Sequence, residues 1–409
     1  LIGIIGNAHV VQLGEGTHGD GTAFLLRTRI VRCLHAQLGF EALAFESGFF
    51  ECRAVQSALR AETIDLRDAI SLGVYPIWAE SRQMLPLFEY LRSTSATALP
   101  LAFLGFDVQA SRPTIREDLP RGLNAFIVDS HLDSMSTSQV AQLDDMLRTV
   151  LSAGQFKIDA ETHQRNTAVL ADLRHALGEL GPEQRFESAW WEQVLSSLQH
   201  NEQSAFFGSL APPFDPTHIE ATTRSPFRIM ASNARDLGMA ENLSWWLNVP
   251  GHDAGLIVWA ANSHVAHDSR RVAVAPLPGE DHAPVHASAG SHLRQRLGDS
   301  LYTFLTITYK GRWAAPSIRT SEGALQWTHG QHPPAAKGSL AELLHRSGMT
   351  FGVLDLRALS KEPEHWLNQP LVIRQDRFHG EAIVLADYCD GILFIDEMEP
   401  SAPHGSAPR

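Results

Sequence analysis

Gly14-Glu15-Gly16-Thr17-His18-Gly19 spells G-x-G-x-x-G directly after the short apolar run of Val10, Val11 and Leu13. The letters match a dinucleotide fingerprint, in which unobstructed backbone amides face a pyrophosphate at a helix N-terminus. Glu15 would bring a like charge to that spot. If the glycines instead form a tight turn at the top of a strand, Glu15 and His18 stand side by side as an acid and an imidazole, a pair suited to proton chemistry. Beyond the loop, Phe24, Thr28, Val31, Leu34 and Leu38 recur at helical spacing, and Gly39 stops the helix. The continuous apolar run Ala42-Leu43-Ala44-Phe45 suits a strand buried on both faces of a parallel sheet, and it ends in Glu46. Strand, helix and strand make a βαβ unit whose crossover is long enough for a parallel connection.

Two further apolar runs end in the same manner. Leu101 to Phe106 stops at Asp107, and Leu256 to Ala261 stops at Asn262, with His264 and His267 just beyond. In open parallel sheets ligands sit outside the carboxyl ends of the strands, so four strand ends offer polar groups to one crevice. Polar residues also follow strands simply because loops are polar, and each taken singly has that bland reading.

The fold expected is α/β, a mainly parallel central sheet flanked by helices, with a helical insertion forming part of the cleft. Residues 1–110 and 250–400 are read as the catalytic core, 111–249 as the insertion and 401–409 as a disordered tail. In the insertion, Val140, Leu143, Leu147 and Val150 share a helical face behind a capping box at Ser136 and Gln139. Val169, Leu173, Ala176 and Leu180 share another, and Trp190, Trp191, Val194 and Leu198 form a stripe whose ordinary role is core. The proline-rich stretch Ala211 to Pro226 reads as a loop over the cleft, and Val274 to Ser291 as a second lid or binding loop. Leu301 to Ile307 returns to strand character. Tyr75 and Trp78, ahead of a helix carrying Met84, Leu87, Phe88 and Leu91, are candidates for an apolar wall against a bulky substrate.

These residues resemble the erythromycin esterase family. The resemblance rests on Leu13 to Gly19, Arg27 in the following helix, the Gly39-Phe40 to Glu46 strand and Gly105-Phe106-Asp107. It continues through Arg235-Asp236, Met239-Ala240-Glu241-Asn242 and Trp259 to His264, and Phe351 to Pro400 looks like the family's closing strands. The resemblance implies hydrolysis of macrolide lactone esters, with His18 as the general base for water, Glu15 as the acid beside it and Arg27 serving the same site. Where the family usually has His-Asn-x-His, this chain reads Ala261-Asn262-Ser263-His264. Either His267 or another residue takes the missing histidine's place, or the activity is altered.

The chemistry stands without the family. Neutral imidazole takes a proton from water near pH 7, a neighbouring carboxylate (Glu15 or Glu46) fixes its tautomer, and Arg27, His264 or loop amides are candidate donors to the oxyanion. Asp107, Asn262, Tyr75, Trp78 and His267 are expected around the substrate. No G-x-S-x-G elbow occurs, and Cys33, Cys52 and Cys389 match no nucleophile motif, so water is the expected nucleophile. No cofactor is expected; the rival is a zinc or manganese ion held by Glu15, His18, Glu46 and His264, making a metal-dependent hydrolase of another bond, although no H-E-x-x-H helix or paired cysteine spacing is present. From another class comes a binding or biosynthetic accessory protein that keeps the fold without turnover.

The net charge of −13 argues against nucleic acid as a partner, and the expected partner is a small hydrophobic ester or macrolide. No apolar run of about 18 residues marks a membrane span. Three cysteines without regular spacing fit a reducing cytoplasm. The chain starts at Leu1 rather than methionine, and something upstream is expected.

Overall fold

The computed structural model describes residues 2–61, 64–110, 114–130, 137–150, 158–178, 185–213, 225–249, 255–268, 285–318, 325–359, 362, 364–375 and 378–405. Ten strands are present among them: β1 (Val10–Glu15), β2 (Ala42–Gly48), β3 (Ala102–Asp107), β4 (Leu256–Ala261), β5 (Leu301–Ile318), β6 (Leu325–His332), β7 (Phe351–Asp355), β8 (Leu371–Gln375), β9 (Phe378–Ile383) and β10 (Gly391–Met398). Eight form one sheet in the order β3-β2-β4-β1-β5-β10-β7, with β6 paired to the far half of β5; β8 and β9 form a separate hairpin. All neighbours from β3 to β10 run parallel, and only β7 and β6 are antiparallel. The mainly parallel α/β sheet is therefore the one the apolar runs predict.

The central strand is β1, buried along its whole length. Its alternating side chains feed two cores. Val11 and Leu13 pack with Phe24, Val31, Leu34, Val55 and Phe88 on one face. Val10 joins Ala44, Val258, Met239, Leu243 and Leu293 on the other. This double burial explains why the strands read as continuous apolar runs. The helix after β1 spans Gly21–Leu38, capped by Asp20, whose side chain accepts from Ala23 N, and closed by Gly39 at φ 70°. A positive φ there is what a glycine C-cap supplies at no steric cost.

The insertion has its own core, in which Ile115, Leu119, Leu143, Leu147, Leu173, Trp190, Trp191 and Val194 meet. Its boundary needs correction. The helix Pro226–Leu247 lies within the residues assigned to the insertion, yet its Met239, Ala240 and Leu243 pack into the sheet's core. It is a sheet-covering helix, and it carries side chains into the site. The tail is also corrected. Ser401 is buried, with its amide donating to Gly19 O (2.9 Å) and its hydroxyl to Ser81 Oγ (2.7 Å). Pro403 then bridges to Ser81, so residues 401–405 are fastened beside the first loop.

Leu180, Ser136 of the capping box, most of the proline-rich stretch (214–224) and most of the second loop (269–284) lie outside the described residues. Among the described residues no helix is long and apolar enough to cross a membrane.

Candidate active site

β1, β2 and β4 lie side by side and parallel, so Glu15, Glu46 and Asn262 emerge at the same end of the sheet. A cleft of about 290 Å³ opens there, lined by Glu15, Gly16, His18, Glu46, Tyr75, Ile77, Trp78, Gln109, Arg235, Ala261, Asn262, Ser263 and His264. This is the crevice position that open parallel sheets favour.

Glu15 closes β1 and is buried. Its two oxygens accept four donors. Oε1 takes His18 Nδ1 and Trp78 Nε1 (3.2 Å); Oε2 takes Arg27 Nη1 (2.5 Å) and Trp259 Nε1 (3.1 Å). Burial pushes this carboxyl up, but the Arg27 guanidinium and His18 together overcome it and hold it below the usual carboxylate range. An ionised carboxylate only accepts, so Nδ1 of His18 carries a proton, and in the neutral ring it is Nε2 that holds the lone pair. Of the two carboxylates expected to orient His18, the structure selects Glu15. The His18 side chain is 37% exposed, and its ring meets Trp78 edge-on at 4.9 Å.

A second group of charges lies on the same cleft. The register of β2 against β3 shifts between Phe45 and Gly48, and such an irregularity re-aims a side chain. Glu46, within it, accepts Ala261 N at 2.7 Å and Arg235 Nη2 at 3.3 Å. Arg235 also clasps Asp107 with Nε at 3.0 Å and Nη2 at 2.5 Å, a bidentate pair that holds its guanidinium charged. Burial pushes Asp107 up, and Arg235 draws it below the usual range. His264 places Nδ1 2.8 Å from Asp236 Oδ1 and Nε2 3.4 Å from Glu46 Oε1. Burial pulls this imidazole down, but Asp236 and Glu46 beside it win and hold it above histidine's ordinary value.

Several expected residues prove to have other surroundings. Arg27 is fully buried behind Glu15, lies over the Trp259 ring at 5.0 Å and does not line the cleft, so it is no donor to a substrate oxygen. Asp107 is likewise behind the wall, its oxygens taken by Arg235, Tyr75 Oη (3.0 Å) and Gln109 N (3.1 Å). Asn262 lines the cleft, but its amide spans β5, donating to Thr306 O (2.8 Å) and accepting Thr306 N (3.0 Å). His267 is outside altogether: buried, 3.5 Å from Asp390, and pushed down to about 4 by burial. It therefore does not stand in for a histidine at position 261. Tyr75 and Trp78 do line the cleft, as polar anchors as much as an apolar wall.

The glycines also act differently from the expected tight turn. Gly14, Gly16 and Gly19 are not among the positive-φ glycines. Gly14 is needed for space, since a Cβ there would lie 2.4 Å from Asn262 Oδ1 and 2.9 Å from Phe304 O. Close approach of β5 and of the helical turn Asn262–Val265, not turn geometry, is what that position requires.

The sequence pattern alone gives Arg235 and Asp236 no role at the cleft. One signal was available: Asp236, Met239, Ala240 and Leu243 follow helical spacing, so the carboxylate shares a stripe with core residues and needs a buried partner.

Known proteins give the arrangement a context. A solved Bacillus cereus structure superposes with a TM-score of 0.71 at 19% identity, over 98% of this chain and 91% of that one. A mutant of an erythromycin esterase in its open conformation gives a TM-score of 0.71 at 14% identity, over 98% and 94%. By sequence, YbfO of Bacillus subtilis (strain 168), which carries a hydrolase name, is 23% identical over 97% of this chain and 85% of its own length. Erythromycin esterase type II of Escherichia coli is 24% identical over 97% and 91%. The sequence model of the family described as Erythromycin esterase matches residues 35–398, nearly the whole chain, and the chain belongs to that family.

Proposed function

We propose that the protein is a carboxylic ester hydrolase, with macrolactones in its substrate class, that acts through water activated at His18. The observation that carries this reading is the buried, four-donor Glu15 carboxylate fixing Nδ1 of an imidazole that reaches the cleft. Nε2 then takes a proton from water as its oxygen adds to the ester carbonyl, and Glu15 stabilises the imidazolium that forms. The carbonyl oxygen becomes an oxyanion, and Arg235 and His264 are the cationic donors on the same cleft. Collapse of the tetrahedral species expels the alkoxide, which takes the proton held by the His18 imidazolium and leaves as the alcohol, restoring the neutral base; in a lactone both products stay on one molecule.

Loss of one such donor typically costs about 10²–10³-fold in kcat. His264→Ala is expected to fall in that range. Turnover should decline on the alkaline side as His264 loses its proton, and that limb lies above histidine's ordinary range because Asp236 and Glu46 favour the charged form. A His264→Ala variant with the parent's kcat and alkaline limb would remove this role.

The metal reading finds less support. Both oxygens of Glu15 already face N–H donors, and Glu46 faces Ala261 N, Arg235 and His264. The test of the whole reading is a panel of esters, lactones and macrolides of several ring sizes, followed by mass spectrometry for the gain of one water, with and without a chelator. Opening of a lactone or ester that survives chelation is the expected result. Activity lost to the chelator and restored by zinc or manganese would shift the assignment to a metal-dependent hydrolase. Ligand binding without turnover, by this chain and by Ala261→His, would make it an accessory binding protein.

A further inference from the structure

We propose that Trp78 is a positioning residue that sets the strength of the Glu15–His18 hydrogen bond, by donating its indole N–H to the carboxylate oxygen that also receives the His18 proton. The inference rests on reading His18 as the base. The two indoles that reach Glu15 are not equivalent: Trp78 Nε1 shares Oε1 with His18, whereas Trp259 Nε1 shares Oε2 with Arg27.

Trp78 is held for this task. It is fully buried in the short helix Pro76–Ala79, with Phe45 edge-on at 5.1 Å and Tyr75 stacked at 6.1 Å. Packing alone would be served by phenylalanine; the indole adds a donor. Each carboxylate oxygen has about two lone-pair directions, so a second donor on Oε1 weakens the pull that oxygen exerts on the His18 proton. Without the indole N–H, Glu15 pulls harder, the imidazolium is more stable, and the base stays protonated to higher pH. Among the described residues, the other charged or titratable groups around the pair are Arg27 on the helix Gly21–Leu38 and Asp20 at its cap, Glu46 on β2, Tyr75, and Arg235 and His264 across the cleft. None of these is altered by removing the indole N–H.

Trp78→Phe and Trp259→Phe each delete one indole donor and keep an aromatic ring. In Trp78→Phe the acidic limb of kcat/KM, and the midpoint of the His18 ring signals by NMR, should move to higher pH by roughly half a unit. In Trp259→Phe, where the lost donor sat on the other oxygen of the delocalised carboxylate, both should move clearly less than in Trp78→Phe. Coincident profiles for Trp78→Phe and parent, or equal shifts in the two variants, would overturn the inference. The unmodified protein offers a second reading that does not depend on either variant folding. The Trp78 indole N–H resonance should move with the His18 midpoint, and a resonance that stays fixed through that titration would also overturn it. The NMR midpoints need no substrate, so a failed ester assay counts against the proposed hydrolysis and leaves this coupling to be judged separately.

Discussion

His18→Ala is expected to lose about 10²–10⁴-fold in kcat while unfolding within roughly 1 kcal/mol of the parent. The kinetic loss follows from removing the imidazole whose Nδ1 is fixed by Glu15, and with it the base proposed for water on this cleft. The small thermodynamic change follows from exposure: the ring is 37% accessible, and Glu15 keeps Arg27, Trp78 and Trp259 as donors. Imidazole added to the variant should restore part of the rate, because the space vacated adjoins a carboxylate that still orients an imidazole N–H. Parent-like turnover, or a collapse in stability that accounts for the lost activity, would contradict this expectation. Thermal unfolding and steady-state kinetics on one preparation distinguish the outcomes.

Arg27→Met should act on the fold as much as on the chemistry. Arg27 and Glu15 are both fully buried, and removing one partner of such a pair leaves an uncompensated charge, at a cost of about 3–5 kcal/mol. The pH dependence has a definite sign. In the parent, Glu15 is held below its ordinary range, so its contribution is present above that range and disappears as pH falls through the folded value. In the variant, burial is no longer opposed by the guanidinium and the carboxyl moves up. Lowering the pH then protonates Glu15 and shrinks the penalty, so urea unfolding should show a larger destabilisation at pH 8 than at pH 5. Glu15→Gln combined with Arg27→Met should recover most of the stability, since no buried charge remains, yet stay inactive because a neutral amide no longer stabilises an imidazolium. A single variant as stable as the parent at pH 8 would show that the pair is not the buried charge couple described.

The parallel core was legible because its determinants are local. A strand buried on both faces must be continuously apolar, so β1, β2 and β4 announce themselves as runs, and Gly39 marks a helix end that only its own backbone decides. Which strand lies next to which is not local. β4 inserts between β1 and β2 although it arrives some 200 residues after them, and nothing in those runs distinguishes that order from its rivals.

The same division governs the site. Glu15 and His18 are three residues apart in one loop, and their pairing follows from that proximity. His264 and His267 are also three apart, yet the helical turn Asn262–Val265 aims the first at Asp236 and Glu46. Ala266 then returns to extended backbone, and His267 ends beside Asp390. Arg27 and Asp107, which the sequence pattern puts against the substrate, lie one layer behind the cleft, bonded to Glu15 and Arg235. Sequence shows that a charge follows a strand or sits on a helix; only packing shows whether it faces the cleft or braces a residue that does.

Direct attack of water has one decisive readout, the isotope content of product and enzyme in a single turnover run in H₂¹⁸O with enzyme in excess. Water activated at His18 predicts one ¹⁸O in the new carboxylate and an enzyme whose intact mass never rises. An acylated enzyme, or a first-turnover product whose new oxygen is ¹⁶O drawn from a side-chain carboxylate, would contradict it.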